Sequence, residues 1–275
     1  MKIIDMHCHI FPEKISGKAV DSIGDYYHIP MYGKGTVKDL RLQGEKAGIS
    51  KFLIHSTATK LEQVSSINDY IAEVQAKNDS CVGFGTLFPG LDDVEDEVNR
   101  ILDMRLHGIK LHPEFQKFNI DDESMIPIYT ALEDKLPILM HMGDENSDAS
   151  SPYRLAKILD RFPALTVIAA HLGGYCRWEE SMKYLVGRNV YFDTSSTLSI
   201  LDRKKVVELI RKHGVHKVLF GSDYPMWSPA EEVERFMGLG LTTKEQNMIL
   251  WENGIILLKN QRQKDSREGD GSLDL

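Results

Sequence analysis

The chain has 275 residues, of which 42% are hydrophobic: enough material for one α/β barrel and its core. A formal net charge of −8 excludes the basic footprint of a nucleic-acid-binding surface. There is no apolar run of transmembrane length and no signal peptide, and the three cysteines, Cys8, Cys81 and Cys176, form no disulfide framework or paired zinc motif, so a cytoplasmic protein without a membrane partner is expected.

The first apolar run enters K-I-I-D-M-H-C-H-I. In a strand, residues two apart share a face, which would align Asp5, His7 and His9 and turn Met6 and Cys8 the other way. The crossover that follows, residues 10 to 49, is long and contains Y-G-K-G, as expected of a loop over the mouth of a barrel. Further strands read as K-F-L-I-H, C-V-G-F-G-T-L-F, G-I-K-L-H, P-I-L-M-H, T-V-I-A-A-H, N-V-Y-F-D and K-V-L-F-G-S-D, eight with the first. Between them lie segments of helical period, among them L-E-Q-V-S-S-I-N-D-Y-I-A-E-V, V-E-D-E-V-N-R-I-L-D-M and K-K-V-V-E-L-I-R-K. Ser151-Pro152 reads as a helix start and Gly214 as a helix stop. Eight strands alternating with helices predict a (β/α)8 TIM barrel. An open doubly wound sheet is the alternative, but the Gly-rich phosphate turn usual after its first strand is replaced here by H-C-H-I-F-P. No domain boundary is visible, so residues 1–259 are expected as a single barrel domain. From about Asn260 the chain is polar, and 260–275 is expected as a flexible tail.

The histidines are distributed one-sidedly. His7, His9, His55, His112, His141 and His171 fall at carboxyl ends of predicted strands, and His28 in the loop after the first. Only His107, His213 and His216 fall at the opposite end. In a barrel the carboxyl end carries chemistry and the other end serves stability. Asp223 ends the eighth strand, which in a closed barrel neighbours the first and so lies beside His7 and His9. His141 ends the fifth strand, across the barrel. Each of these has a bland reading alone: a polar strand end, a hydrogen-bonded histidine, a turn aspartate. Together they make an N3O set that suits Zn²⁺ or another borderline divalent ion with an open position for chemistry.

The ordered pieces D-M-H-C-H, G-I-K-L-H-P, H-M-G, A-A-H-L-G-G and F-G-S-D-Y-P resemble the amidohydrolase superfamily, in the amidohydrolase-related group that contains the aminocarboxymuconate semialdehyde decarboxylase type. The resemblance runs from residue 3 to about 259. It implies that His7, His9, His141 and Asp223 hold the metal and that His171 stands by the metal-bound water or the substrate. One metal is expected. A second remains open through Lys110, which in two-metal members would be carboxylated; here Lys110 reads as a substrate-binding or structural cation, or as half of a buried ion pair with Glu114.

The mechanism expected from this set is hydrolysis of an amide, lactone or ester bond in a small, acidic molecule. The metal would lower the pKa of a bound water, Asp223 would accept its proton, and His171 would orient it. Metal-dependent non-oxidative decarboxylation or hydration of a small carboxylic acid on the same site is the second reading. A barrel that binds without catalysis is a third, opposed by the complete ligand set. Asp193 is a candidate to brace the ligands or to cap a helix. Substrate-binding candidates are Lys110, His112, His55, Arg154 and Arg177, with Lys60, Tyr224, Trp178 and Trp227 on the same rim. The sequence leaves a homo-oligomer open.

Overall fold

The structure is a computed structural model that describes residues 1–265. The strands are β1 (Ile4–His9), β2 (Lys51–His55), β3 (Cys81–Gly83 and Gly85–Thr86, interrupted at Phe84), β4 (Ile109–Leu111), β5 (Ile138–Met140), β6 (Val167–Ala169), β7 (Tyr191–Asp193) and β8 (Val218–Leu219). Each pairs in parallel with the next. The two halves of β3 are joined through Phe84, whose N–H donates to Ile54 at 2.9 Å, while Gly85 N–H donates to Gly108 at 2.8 Å. The ring closes between β8 and β1. Cys8 bridges Tyr224 in parallel, Met6 N–H donates to Phe220 O at 2.8 Å and Asp223 N–H to His7 O at 3.0 Å. The eight expected strands therefore form the (β/α)8 barrel of the TIM type. The open sheet is excluded by this closure.

Strand alternation sorts the side chains. Phe52, Ile54, Ile109, Leu111, Ile138, Met140, Val167, Phe192 and Val218 face outward into a layer shared with the helices. Leu53, Val82, Phe84, Leu139, Ile168 and Leu219 face inward with Ile4 and Met6. The helix Asn253–Asp265 closes the amino end of the barrel, where Leu257 and Leu258 join that inner cluster. A residue two further along an inward strand still points inward. That rule carries Leu53 to His55, Lys110 to His112, Leu139 to His141 and Tyr191 to Asp193, stacking polar groups above an apolar floor.

β1 departs from simple alternation. Its register against β2 shifts between Asp5 and Cys8, so one extra residue is accommodated in a bulge. Met6 consequently lies in the inner apolar cluster, while Asp5 accepts from Ser222 N–H at 2.9 Å and from His7 N–H at 3.2 Å. The expected alignment of Asp5 with His7 and His9 is thus corrected: the bulge delivers only the two histidines to the site.

The first crossover is mostly helical, Glu13–Tyr27 and Val37–Lys46, rather than a loop. His28 ends the first of these helices in the left-handed region (φ 55°). Helices Val64–Lys77, Val94–Asp103 and Arg203–His213 occupy the segments of helical period. Helix Pro152–Arg161 begins at Ser151-Pro152, and Gly214 (φ 109°) ends the helix before it. The last helix extends to Asp265, and the rest of the segment expected as a tail, 266–275, lies outside the described residues. Among the described residues no helix is long and apolar enough to cross a membrane.

Candidate metal centre

His7 and His9 arrive from β1 and Asp223 from the turn after β8. Asp223 Oδ1 lies 3.4 Å from His7 Nε2 and 3.3 Å from His9 Nε2. His171, after β6, approaches Asp223 Oδ2 at 3.9 Å by its Nδ1. His7, His171 and Asp223 form one group whose ligand atoms all lie within 4.8 Å of each other; His7, His9 and His55 form a second. His141, from the end of β5, joins through His171, with its Nδ1 3.0 Å from His171 Nε2. It also belongs to a third group of the same kind with His112 and Glu114.

The outer partners of these rings fix which nitrogen faces the centre. His7 Nδ1 sits 2.8 Å from Asp193 Oδ2, so its hydrogen resides there and Nε2 presents a lone pair inward. His141 Nε2 lies 2.9 Å from the carbonyl of Gly143, and His171 Nδ1 lies 3.0 Å from that of Ser195. Carbonyls only accept, so each ring spends its hydrogen outward. Two lone pairs, His141 Nδ1 and His171 Nε2, are left facing one another. A cation between or beside them, a proton or a metal ion, would satisfy such a pair. The residues therefore fit a divalent ion with imidazole and carboxylate ligands.

Asp193 is the brace beneath the centre. Its Oδ1 accepts from the backbone of His171 and of Ser195, both at 3.0 Å, and from the Ser195 hydroxyl. It is fully buried, which alone would raise its pKa, yet His7, His171 and Ser195 together hold it down at about 2. Asp223 is likewise held well below the usual carboxylate range despite burial, by His7, His9 and His171. Both carboxylates are therefore ionised. Burial drives His7 down to about 4 and lowers His9, His55, His112 and His141, which keeps the rings neutral and able to ligate. Lys110 is buried with its Nζ 3.2 Å from His7 Nε2; burial lowers its pKa to about 8, against the pull of Asp223 and Asp193.

Backbone strain gathers here. His171 (φ 60°), Leu172 (φ 48°), Ser196 (φ 46°) and Asp223 (φ 61°) all occupy the left-handed region, which non-glycine residues rarely adopt outside sites that the surrounding structure over-determines. Gly143 (φ 81°) shows the closeness of the packing: a Cβ there would lie 2.3 Å from Tyr175 O.

A small cavity of about 30 Å³ opens beside these groups. His9, His112, His141, His171, Ser196 and Asp223 supply its polar wall, and Tyr27, Phe115 and Tyr175 its aromatic one. Tyr27 ends helix Glu13–Tyr27 and places its hydroxyl 3.0 Å from His112 Nε2 and 3.4 Å from His141 Nε2. Phe115, His112 and His141 stack in sequence, each neighbouring pair of centroids 3.9 Å apart.

The other expected site residues are placed as follows. His55 is buried against His7 and His9. Lys110 faces His7 and not Glu114, so the Lys110–Glu114 ion pair does not form; Glu114 Oε1 accepts instead from the Ser150 hydroxyl at 2.6 Å. Arg154 is held by Asp121 and Asp148. Arg177 is held by Glu180 and by the carbonyls of Asp144 and Ser147. The structure does not bring these two arginines to the cavity wall. Lys60 is exposed at a helix start, and the Tyr224 hydroxyl donates to Asp39 at 2.7 Å. Trp178 Nε1 donates to His171 O at 2.9 Å, and Trp227 Nε1 to the Ser196 hydroxyl at 2.8 Å. Sequence reasoning missed Tyr27, Ser195 and Ser196. The buried tract D-T-S-S-T after β7 was a usable signal for the serines; D-Y-Y in the first crossover offered none for Tyr27.

The family model described as Amidohydrolase matches residues 4–259. A 2-amino-3-carboxymuconate-6-semialdehyde decarboxylase of Dictyostelium discoideum is 25% identical over 234 residues, covering 67% of this chain and 64% of the relative, so the chain spans less than two thirds of that protein. The solved 5-carboxyvanillate decarboxylase of Sphingomonas paucimobilis superposes with a TM-score of 0.73 at 17% identity, covering 94% of this chain and 99% of the other. A dihydroxybenzoic acid decarboxylase of Polaromonas, solved with bound manganese and the inhibitor 2-nitroresorcinol, gives 0.73 at 18%, covering 94% and 97%. These named relatives are decarboxylases. The expectation of amide, lactone or ester hydrolysis is corrected on that finding, because the chemistry of the ligand set alone serves both reactions and could not separate them.

Proposed function

The chain belongs to the amidohydrolase family, and from that premise we propose that it is a metal-dependent, non-oxidative decarboxylase of a small carboxylic acid. The observation that carries the reading is the cluster at the carboxyl end of the barrel in which Asp223 adjoins His7, His9 and His171, and His141 adjoins His171. Family members named for decarboxylation support the choice of reaction. His7, His9, His141 and Asp223 would hold the ion, zinc or manganese by the donor set. When bound, the ion supplies positive charge that draws in an oxygen of the substrate and offsets charge as CO2 departs.

The remaining work falls to the chain. Decarboxylation exchanges a C–CO2 bond for a C–H bond, so one proton must reach the carbon. His171 lines the cavity and is the group assigned to deliver it, after a proton from solvent is taken up at the Nε2 lone pair. Asp193 fixes that ring through the His171 backbone. Asp223, ionised beside His171 at 3.9 Å, stabilises the ring while it carries the proton. Tyr27, Phe115 and Tyr175 exclude water and offer flat faces to a conjugated acid. The test is CO2 release from a panel of hydroxybenzoates and unsaturated carboxylic acids by zinc- and manganese-loaded protein, beside hydrolysis of lactones and anilides. Metal-dependent CO2 release that disappears in His7→Ala is the expected result. Hydrolysis without CO2 release would overturn the proposal.

A further inference from the structure

His55 is unlike the other histidines of the site. It is fully buried at the end of β2, and among the described residues neither ring nitrogen has a hydrogen-bond partner. Every other imidazole around the centre has at least one polar partner: Asp193 for His7, Asp223 for His9, Tyr27 for His112, Gly143 for His141, Ser195 for His171. An imidazole without partners in a closed interior loses its hydration and gains nothing in return, a penalty that buried polar groups normally avoid. The sequence makes the placement deliberate in geometric terms, since Leu53 points into the barrel and the residue two along must do the same.

The neighbours of His55 point to what would satisfy it. Its ring lies edge-on to His9, with centroids 4.4 Å apart at 79°, and edge-on to His7, 5.0 Å apart at 71°. His7 and His9 are themselves 5.2 Å apart. For a metal–nitrogen bond of about 2.1 Å, an imidazole centroid sits about 3.2 Å from the ion. Two such rings on one ion are then about 4.5 to 5.2 Å apart for bond angles from about 90° to about 109°. All three observed spacings fall at or within about 0.1 Å of that interval. One nitrogen from each ring already lies within 4.8 Å of the others.

We propose that His55 is a further ligand of the metal centre, contributed by β2, so that His7, His9 and His55 grip the ion on one side while Asp223 and His141 approach from the other. The inference rests on the metal centre of the proposed function and adds a ligand to it. It also accounts for a buried histidine beside His7 and His9 that does not line the cavity.

The probe is ¹¹³Cd²⁺, read by proton–cadmium correlation spectroscopy on the intact chain, which reports each imidazole bonded to the ion whether or not the protein turns over. Cross-peaks from His7, His9 and His55 are expected, the last assigned by its loss in His55→Ala, together with a Cd²⁺ affinity at least about a hundredfold lower in that variant. Coupling to His7 and His9 with none to His55 in the wild-type protein would overturn the inference while leaving the centre intact. Failure of the wild-type chain to bind Cd²⁺ at all would remove both the centre and this ligand. The wild-type spectrum decides the question even if His55→Ala does not fold.

Discussion

At the residue scale, one carboxylate sets the chemistry of its neighbours. Asp193 takes the Nδ1 hydrogen of His7 and the backbone hydrogen of His171, so two rings from different strands are oriented by a group that need not touch substrate. Asp193→Asn keeps the shape but offers an amide where an anion stood. Metal affinity should fall about tenfold to a hundredfold, as for other partners of ligating histidines, measured by competition with a coloured chelator. An affinity within about threefold of wild type would mean that the ring is held by packing alone. Much of this site was legible beforehand because strand-end histidines and Asp223 sit at computable positions in a βα repeat. Tyr27, Ser195 and Ser196 were not, since their roles depend on how a crossover helix and a post-strand turn lie across the barrel mouth, and no local pattern encodes that. Arg154 and Arg177 read as free cations in the sequence; in the fold each had nearer carboxylates and carbonyls to satisfy.

At the scale of elements, strand period survived folding and bulges did not announce themselves. Inward and outward sets could be assigned for β2 and for β4 to β8 from alternation alone, because parallel strands buried on both faces keep strict register. In β1 the extra residue between Asp5 and Cys8 shifts the phase, and nothing in I-I-D-M-H-C-H marks it. The opposite end of the barrel shows what a histidine does when it serves an element instead of an ion. His213, last in its helix, stacks on Phe192 at 3.8 Å, places Nε2 2.9 Å from Val190 O and accepts from Gly187 N–H at 3.3 Å. It thereby ties helix Arg203–His213 to β7. Burial lowers its pKa from 6.5 to about 4. Above pH 6.5 the ring is neutral in both states and imposes no cost. As pH falls from 6.5 to 4 the unfolded chain takes up a proton that the folded chain refuses, so stability falls through that window, by roughly 3 kcal/mol for this group, and levels below it. Urea unfolding at a series of pH values should show this slope and a shallower one in His213→Gln; equal slopes would place the titration elsewhere.

At the scale of the whole molecule, the barrel is held at both ends by different means. The amino end is closed by apolar packing: a Cβ at Gly254 would lie 3.0 Å from Ile4 and 3.2 Å from the Met6 sulfur, and Leu257 is 2% exposed. Leu257→Ala should cost about 2–4 kcal/mol with little effect on the distant centre, seen as a lower urea midpoint with unchanged metal affinity. Among the described residues the carboxyl end has no such plug. It converges polar groups from β1, β2, β5, β6 and β8, whose mutual burial is costly until a cation compensates them. An ion bound by the proposed ligands would stabilise the whole barrel, because those residues are more than 200 positions apart in sequence, from His7 to Asp223, and meet only when the ring is closed. At a free ion concentration of about 100 times Kd the gain is about 2.7 kcal/mol, which for a chain of this size raises Tm by roughly 5 °C. Scanning calorimetry with and without Mn²⁺ should show that rise in the wild type and in Leu257→Ala, and its absence in His7→Ala. If His7→Ala gained as much as wild type, the ion would be acting at some other place on the chain, and the carboxyl end would have to be stable without one.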